Sequence, residues 1–250
     1  MIIRKGKAEL EKMRKANLIV ASVLDHLGTL VKPGVTTKEL DIVAEGMIVD
    51  AGGRPAFKGY HGFPASVCTS INDEVVHGIP SQDKVLADGD ILAVDVGVCY
   101  EGYFGDAAKT FPVGAITSEL QKLLDVTRES LLLGIGKVCA GNRVQDISAV
   151  IQQHVEASGF SVVREFVGHG IGQSLHEDPQ VPNFGVAGKG PRLAEGMVLA
   201  IEPMVNSKGP GVRVLADKWT AVTADGGYSA HFEHSVAVTE NGPWILSDPS

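Results

Sequence analysis

Acidic side chains interrupt some of the most apolar segments of this chain, and this feature limits the folds available to it. Asp95 lies inside the run ILAVDVGV, Glu202 follows the run VLAI, and Glu233 comes shortly before the run SVAV. Short apolar runs of this kind are typical of buried strands. Because a buried carboxylate costs several kcal/mol unless it is paired or binds a metal, the fold must bring these segments to groups or ions that offset their charge.

Two further residues complete a set with the chemistry of a metal site. Asp106 lies in GDAAKT, where small neighbours allow a ligand to approach closely, and His169 lies in the glycine-rich segment GHGIG. Taken singly, Glu202 or Glu233 would fit a solvated strand end equally well. Four carboxylates and one imidazole together match an oxygen-rich site for divalent cations. The predicted ligands are therefore Asp95, Asp106, His169, Glu202 and Glu233.

Two more histidines lie in settings where a chemical role has to be weighed against packing. His176 lies in LHEDP on the same glycine-rich segment as His169, and His77 lies in VVHGIP, where glycine and proline indicate a loop. For His77 alone, an exposed loop histidine is the simpler interpretation. The spacing differs from H-E-x-x-H, which excludes a zincin helix, and no P-loop or G-x-S-x-G elbow is present.

The charge of the chain argues against polyanionic partners. Its 250 residues carry a formal net charge of −8, which does not fit nucleic acid or an anionic membrane as the main partner. The N-terminus lacks the pattern of a signal peptide, and no apolar run approaches the roughly 18 residues of a membrane span. Three cysteines without a C-x-x-C pair argue against a disulfide framework. We expect a cytoplasmic protein.

The signals for secondary structure repeat in two similar halves. Helices are predicted over residues 5–30, from Thr36 to Gly52, over 118–138 and over 143–158, with capping boxes at Thr36–Glu39 and Ser118–Gln121. A loop is predicted over 54–64, and strands over 65–71, 91–99, 103–112, 160–167, 196–202, 211–216, 219–224 and 231–239. This order predicts an α+β fold whose halves share one central sheet. Asp95 and Asp106 are expected to face each other across a hairpin.

The motifs around these residues resemble a known superfamily. DVG, GDAAKT, GHGIG, IEP and FEH are similar to the metal-binding motifs of the pita-bread metallopeptidases, which include methionine aminopeptidases, aminopeptidase P and prolidase. The closer resemblance is to type I methionine aminopeptidases of the short bacterial form. It rests on GYHGFPASVCTSINDEVVHGIP, GHGIGQSLHEDPQVPNF and TADGGYSAHFEHSVAVTENGP, and it covers essentially the whole chain.

The resemblance implies a fold and a reaction. The fold would be the pseudo-symmetric pita bread, formed as a single catalytic domain over residues 1–250. The enzyme would remove the initiator methionine from peptides and nascent proteins when the second residue is small. Two divalent ions (Co, Mn, Fe or Zn) would be held, with Asp95 on one, His169 and Glu202 on the other, and Asp106 and Glu233 on both. Most relatives are monomers, and docking on the ribosome is left open.

The resemblance also implies roles for residues outside the ligand set. Glu202 would act as general base, and His77 and His176 would polarise the scissile carbonyl and assist the amide nitrogen. The methionine pocket would be formed by Tyr60, Phe63, Cys68, His77, Leu175, His176 and Trp219. Leu175 and Phe63 depart from the aromatic residues common in relatives, and Phe57 stands where Cys is frequent. A monovalent cation is suggested near Asn72, Glu74 and Ser229.

Two other functions fit parts of this pattern. A proline-directed aminopeptidase or prolidase would use the same five ligands, although those enzymes usually carry an additional N-terminal domain. A metal-free binding module of the same fold would lose ligands, whereas all five are present here. Comparing turnover of Met-Ala-Ser with that of Xaa-Pro peptides tests the proline-directed alternative. Measuring the metal content tests the metal-free binding module.

Overall fold

The computed structural model describes residues 1–249 and contains four α-helices in that range. They are α1 (Lys7–Leu30), α2 (Thr37–Asp50), α3 (Ser118–Ile135) and α4 (Val144–Ala157). The capping box at α2 is confirmed, because the Thr36 side chain accepts the Glu39 N–H and the Glu39 carboxylate accepts the Thr36 N–H. The box predicted at α3 is wrong by one residue: Thr117 has the extended backbone that a cap requires, and its hydroxyl accepts the Leu120 N–H.

Fifteen strands accompany the helices within the described range. They are β1 (Arg54–Pro55), β2 (Val67–Ile71), β3 (Glu74–Val76), β4 (Ile91–Tyr100), β5 (Tyr103–Pro112), β6 (Ser161–Val162), β7 (Gly168–Gly170), β8 (Glu177–Val181), β9 (Val198–Ile201), β10 (Met204–Asn206), β11 (Val212–Val214), β12 (Ala221–Thr223), β13 (Ser229–His231), β14 (Glu233–Thr239) and β15 (Gly242–Ile245). A nine-stranded sheet runs in the order β1-β4-β5-β14-β9-β7-β8, with β2 also paired to β4 and β15 to β14. The predicted α+β class with a shared central sheet is confirmed.

Apolar and polar side chains alternate along the central strands. One face of the sheet, which packs against the helices, is therefore apolar, and the other carries polar residues. In β4, Leu92, Val94, Val96 and Val98 pack in one apolar cluster with residues of α1 and α2. Asp95 lies between them, so it points to the opposite face. The same alternation places Val236 and Val238 of β14 in the cluster with α3 and α4. The carboxylates therefore occupy the face that the helices leave free.

Two apolar clusters fill the space between the sheet and the helices, one for each half. The first joins α1 and α2 to β2, β4 and β5, and the second joins α3 and α4 to β9 and β14. Both contribute strands to the same sheet, which agrees with the two similar halves expected from the order of elements. The sheet face that carries the carboxylates is therefore built by both halves.

Several short strands differ from the prediction. The strand predicted over 160–167 is reduced to β6, and the one over 231–239 is divided between β13 and β14, which belong to different sheets. The predicted loop over 54–64 contains β1 and one 3-10 turn, Tyr60–Gly62. Strands β3, β7, β8, β10 and β15 were not predicted, because segments of three to five residues show too little alternation to be recognised.

Among residues 1–249, none of the helices combines the length and the apolar character needed to cross a membrane.

Candidate metal centre and substrate cavity

Five neighbouring strands of the central sheet each bring one predicted ligand to the same face. Asp95 lies in β4, Asp106 in β5 and His169 in β7, while Glu233 begins β14 and Glu202 directly follows β9. These strands lie side by side in the order β4-β5-β14-β9-β7. The sheet thus collects residues from distant parts of the chain into one row.

The sheet is strongly curled at this row. Three strand spacings separate β5 from β7, which is about 14 Å in a flat sheet. Yet Asp106, His169 and Glu233 each offer a ligand atom, and these atoms all lie within 4.8 Å of one another. The curl therefore converts a row of side chains into a compact site.

Small residues in the same row leave room between the carboxylates. Ala108 is the register partner of Asp95 on one side and of Glu233 on the other. Asp106 lies opposite Gly97. Asp95 and Asp106 thus share a face, as predicted, but they are diagonal neighbours rather than directly opposite. The methyl group of Ala108 leaves the space that larger side chains would fill.

The buried carboxylates resist ionisation. Burial raises the pKa of Asp95 to about 7, against the effect of a hydrogen bond with Asp106. Burial, and then the neighbouring Glu233 and Asp95, raises the pKa of Asp106 well above its usual range. Burial and nearby carboxylates act in the same direction on Glu202 and Glu233. Such a cluster of like charges requires protons or cations to hold it together.

His169 is arranged to present a lone pair to the cluster. Its Nδ1 lies 2.9 Å from the Gly170 carbonyl oxygen, and since a carbonyl only accepts, Nδ1 carries the proton. Its Nε2 lies 3.5 Å from Glu202 Oε1. Burial, followed by the effect of His176, lowers the pKa of His169 to about 3. The imidazole is therefore neutral and oriented as metal-binding histidines are.

Unsatisfied atoms in the cluster test whether a metal ion fits. Within residues 1–249, one buried carboxylate oxygen in each of Asp95, Asp106 and Glu233 has no hydrogen-bond partner. Buried polar atoms without a partner are rare and call for a ligand or an ion. An oxygen-rich set with one neutral imidazole suits divalent cations. The residues present therefore fit a divalent metal centre.

Two further histidines flank the cluster. The Tyr60 hydroxyl lies 2.7 Å from His176 Nδ1, and the His176 ring lies 4.3 Å from the His169 ring between centroids. His77 packs against Trp219 and Phe166 with its ring edge toward theirs. Burial lowers the pKa of His77 to about 4 and also lowers that of His176. Both histidines are therefore neutral hydrogen-bonding groups near neutral pH.

His77 owes its position to a close approach of two backbones. It has a left-handed φ of 61°, and the next residue, Gly78, accepts the Thr69 N–H on its carbonyl at 2.8 Å. A Cβ at Gly78 would collide with the Thr69 carbonyl oxygen. The glycine therefore lets the chain pass against β2, and His77, which lies in a loop as predicted, is half-buried and lines the cavity.

All twelve residues predicted for the site line one cavity of about 200 Å3. The five predicted ligands are among its lining residues. The remaining residues form its other walls: Tyr60, Phe63, Cys68, His77, Leu175, His176 and Trp219. Burial raises the pKa of the Cys68 thiol well above its usual range, so it lines the wall as a neutral, soft group.

Four cavity residues escaped the sequence analysis: Val76, Phe166, Val167 and His231. His231 is buried, its Nε2 lies 3.8 Å from Glu202 Oε2, and burial lowers its pKa to about 3. Phe166 packs its ring 5.3 Å from that of His77. His231 stands two residues before Glu233 in an extended segment, and this spacing was the signal that could have identified it. Phe166 shows no comparable pattern.

The residues suggested for a monovalent cation lie close together. The Ser229 N–H donates to the Asn72 carbonyl oxygen at 2.8 Å. The buried Ser229 hydroxyl has no hydrogen-bond partner within the described range. The Glu74 carboxylate, in contrast, is paired with Lys84. The Glu74 carboxylate is thus already engaged, whereas the Ser229 hydroxyl oxygen remains without a partner.

Comparison with known proteins shows one consistent relationship. The sequence profile of metallopeptidase family M24 matches residues 11–240. A methionine aminopeptidase of Clostridium perfringens is 55% identical over 247 residues, covering 99% of both chains. The crystal structure of a methionine aminopeptidase from Thermotoga maritima superposes with a TM-score of 0.98 at 46% identity, covering 99% of this chain and 100% of that one.

A more distant likeness concerns the fold alone. A prolidase from Pyrococcus horikoshii superposes with a TM-score of 0.80 at 22% identity, covering 100% of this chain and 65% of the prolidase. The shared architecture confirms the pita-bread fold expected from the sequence motifs. At this identity, the likeness carries no information on substrate.

Proposed function

Because the chain belongs to metallopeptidase family M24, and is therefore a metal-dependent enzyme, we propose that it removes N-terminal methionine from peptides and nascent proteins whose second residue is small. One observation carries the proposal. The twelve residues assigned to metal binding, catalysis and methionine recognition line one cavity. The similarity to methionine aminopeptidases over 99% of both chains supports the same substrate.

The five ligands divide between two divalent ions in our proposal. Asp95 would hold one ion, His169 and Glu202 would hold the other, and Asp106 and Glu233 would serve both. When bound, such ions offset the carboxylate charge and lower the pKa of the water that attacks the peptide bond. The unsatisfied buried oxygens of Asp95, Asp106 and Glu233 support this arrangement.

Glu202 serves as general base in this proposal. Burial and the neighbouring Asp106 and Asp95 raise the pKa of its carboxyl well above the usual range. Bound cations would offset the burial and like charge that raise this pKa, so that Glu202 would be a deprotonated carboxylate able to accept a proton near neutral pH. Glu202 therefore takes the proton from the attacking water at one carboxylate oxygen and delivers it toward the leaving amine.

His77 and His176 act as hydrogen-bond donors to the scissile amide. Both are neutral, and both line the cavity beside the ligand cluster. If the Tyr60 hydroxyl donates to His176 Nδ1, the proton of that imidazole resides on Nε2. His176 then donates to the carbonyl oxygen as negative charge develops there, and His77 assists the amide nitrogen.

The apolar walls of the cavity suit an unbranched thioether side chain. Phe63, Cys68 and Leu175 are buried and belong to one apolar cluster, against which Trp219 packs. Phe63 and Trp219 make an edge-to-face contact with centroids 5.2 Å apart. Aromatic edges and a thiol provide favourable contacts for sulfur. These walls support methionine as the preferred N-terminal residue.

A comparison of substrates tests the proposed activity. The metal-loaded protein is expected to cleave Met-Ala-Ser much faster than an Xaa-Pro peptide of equal length, and also faster than Met-Val-Ser, whose second residue is branched. Release of free amino acid is measured by chromatography. Faster cleavage of the Xaa-Pro peptide would instead establish the proline-directed alternative.

The metal content provides a second test. The wild-type protein is expected to bind two divalent ions per chain by calorimetric titration. Asp106→Asn, which retains the shape of the side chain, is expected to lose tight binding and activity while keeping the native circular dichroism. Equal binding by the two proteins would remove Asp106 from the site. Reloading stripped enzyme with Co, Mn, Fe or Zn at cellular concentrations identifies the ion that supports activity.

The remaining features of the proposal concern the context of the enzyme. We propose that residues 1–250 act as a single catalytic domain, since the central sheet takes strands from both halves. We further propose a cytoplasmic monomer that meets nascent chains at the ribosome, without binding nucleic acid or membrane directly. A monovalent cation near Asn72, Glu74 and Ser229 completes the proposal. Sedimentation, ribosome cosedimentation and activity with K+ or Na+ test these points.

A further inference from the structure

We infer that Lys5, at the far end of the chain from the metal ligands, positions the loop carrying Leu175 and His176 through a buried ion pair with Glu177. Lys5 Nζ lies 2.6 Å from Glu177 Oε2, and the two side chains are only 2% and 6% exposed. Ion pairs buried to this degree persist only with close geometry and further hydrogen bonds. The inference rests on the proposed function, in which His176 contacts the substrate.

The Glu177 carboxylate connects this ion pair to the loop between β7 and β8. While Oε2 accepts from Lys5, Oε1 accepts the Ser174 N–H at 3.2 Å. Leu175 and His176 lie between the two points that the carboxylate holds. Both residues line the cavity. The contacts of Glu177 therefore restrain the backbone that carries Leu175 and His176.

Lys5 packs closely against the backbone on two sides as it passes this loop. Its N–H donates to the Gly196 carbonyl at 2.6 Å. A Cβ at Gly172 would collide with the Lys5 side chain, and a Cβ at Gly196 would lie 2.6 Å from the Lys5 carbonyl oxygen. Lys5 thus passes between two backbone segments that approach it closely at glycines, and at Gly196 the contact is with the Lys5 backbone itself. This fit fixes the ammonium group relative to the loop.

A separate hydrogen-bond chain holds the other end of the loop. Gln173 Nε2 donates to the Tyr103 hydroxyl at 2.9 Å, and that hydroxyl donates to Glu9 Oε1 at 2.7 Å. Glu9 lies in the first turn of α1, and its carboxylate also accepts the Gly6 N–H. The loop is therefore held at two places by the segment that begins the chain, and the Lys5 contact is the one adjacent to His176.

The test removes both charges at once, because an unpaired buried charge would itself disturb the fold. Lys5→Met/Glu177→Gln keeps side chains of similar length and leaves no buried charge. The matched control is Lys109→Met/Asp25→Asn, which removes a more exposed ion pair with a 2.7 Å separation that does not touch the loop. For each protein, kcat and KM are measured on Met-Ala-Ser, well below the unfolding temperature.

Two further measurements separate positioning from general stability. Hydrogen exchange of backbone amides is followed across the chain, and divalent metal affinity is measured by titration. We expect kcat of the Lys5→Met/Glu177→Gln protein to fall about tenfold or more, since small misplacements of a catalytic group have effects of this size. Exchange should rise in residues 171–177, while metal affinity and the control protein remain as in the wild type.

Each contrary result has a distinct meaning. Unchanged kcat in the Lys5→Met/Glu177→Gln protein would overturn the inference. So would a loss of kcat accompanied by faster exchange throughout the chain, because the ion pair would then act on global stability alone. If the wild-type protein itself failed to cleave Met-Ala-Ser, the proposed function would fall, whatever the variants do.

Discussion

The Tyr60 hydroxyl lies 2.7 Å from His176 Nδ1, so this contact occupies Nδ1 and leaves Nε2 as the nitrogen available to a substrate. Burial raises the pKa of Tyr60, so the phenol keeps its proton and can donate it to Nδ1. A neutral imidazole that accepts at Nδ1 carries its own proton on Nε2. When Tyr60, a predicted wall of the methionine pocket, donates in this contact, it also sets the tautomer of His176.

Tyr60→Phe tests this relationship. We expect kcat on Met-Ala-Ser to fall about tenfold, or ~1.4 kcal/mol in activation free energy, while KM changes little because the apolar wall is retained. Steady-state kinetics measures both constants. A larger change in KM than in kcat would show that Tyr60 serves mainly as a wall of the pocket.

Ser235 extends the link between β5 and β14 beyond their register pairs. Its hydroxyl donates to the Asp106 carbonyl at 2.8 Å and accepts the Asp106 N–H at 3.3 Å. We expect Ser235→Ala to lower divalent metal affinity about tenfold, as loss of a group that orients a ligand does. Calorimetric titration measures it. Ser130→Ala, which removes an equally buried hydroxyl bonded within a helix, should leave affinity unchanged.

Leu175 forms part of the wall expected to contact the methionine side chain. It is 2% exposed and packs in the cluster that contains Phe63 and Cys68. Leu175→Ala should lower kcat/KM for Met-Ala-Ser about tenfold, because an enlarged pocket loses apolar contact with the substrate. Selectivity for methionine over phenylalanine should fall as well. Leu133→Ala, at an exposed helix position, is the control, and equal kinetics in the two variants would place the methionine pocket elsewhere.

The buried carboxylates predict how the stability of metal-stripped protein depends on pH. Since the pKa of Asp95 is raised to about 7, and those of Asp106, Glu202 and Glu233 are raised in the same direction, the folded state binds more protons than the unfolded chain. The free energy of unfolding should therefore fall as pH rises. Asp95 completes its contribution near pH 7, so a further fall between pH 7 and pH 9 comes from Asp106, Glu202 and Glu233, at up to about 1.4 kcal/mol per pH unit for each extra proton bound.

The buried histidines and bound divalent ions also affect how the free energy of unfolding depends on pH, and each effect can be measured separately. Below about pH 6.5 the histidines act in the opposite sense, because burial lowers the pKa of His77 to about 4 and that of His169 to about 3. Chemical denaturation at pH 7, 8 and 9 therefore isolates the carboxylates. Added divalent ions should stabilise most at the highest pH, since the ligands bind deprotonated. Stability that rises with pH in stripped protein would contradict this account, and Asp106→Asn should weaken the dependence.

Much of the fold was predictable because its long elements carry strong local signals. The four helices and the hairpin of β4 and β5 follow from periodicity, capping and glycine, each of which acts over a few residues. The short strands β7 and β10 carry no such signal, since they are stabilised by partners remote in sequence. The cap of α3 was misplaced because Thr117 and Ser118 are both good caps, and only the backbone conformation distinguishes them.

The candidate site likewise has features that the sequence determines and features that only the tertiary structure determines. The sequence by itself determined the chemistry, because a carboxylate such as Asp95 within an apolar strand must meet a cation or a proton wherever the strand lies. Only the tertiary structure decided the geometry: the curl that draws Asp106 and His169 together, and the burial that turns Lys5 and Glu177 into an ion pair. Contacts of this kind depend on how distant segments pack, and packing is a property of the assembled sheet and helices rather than of any one segment.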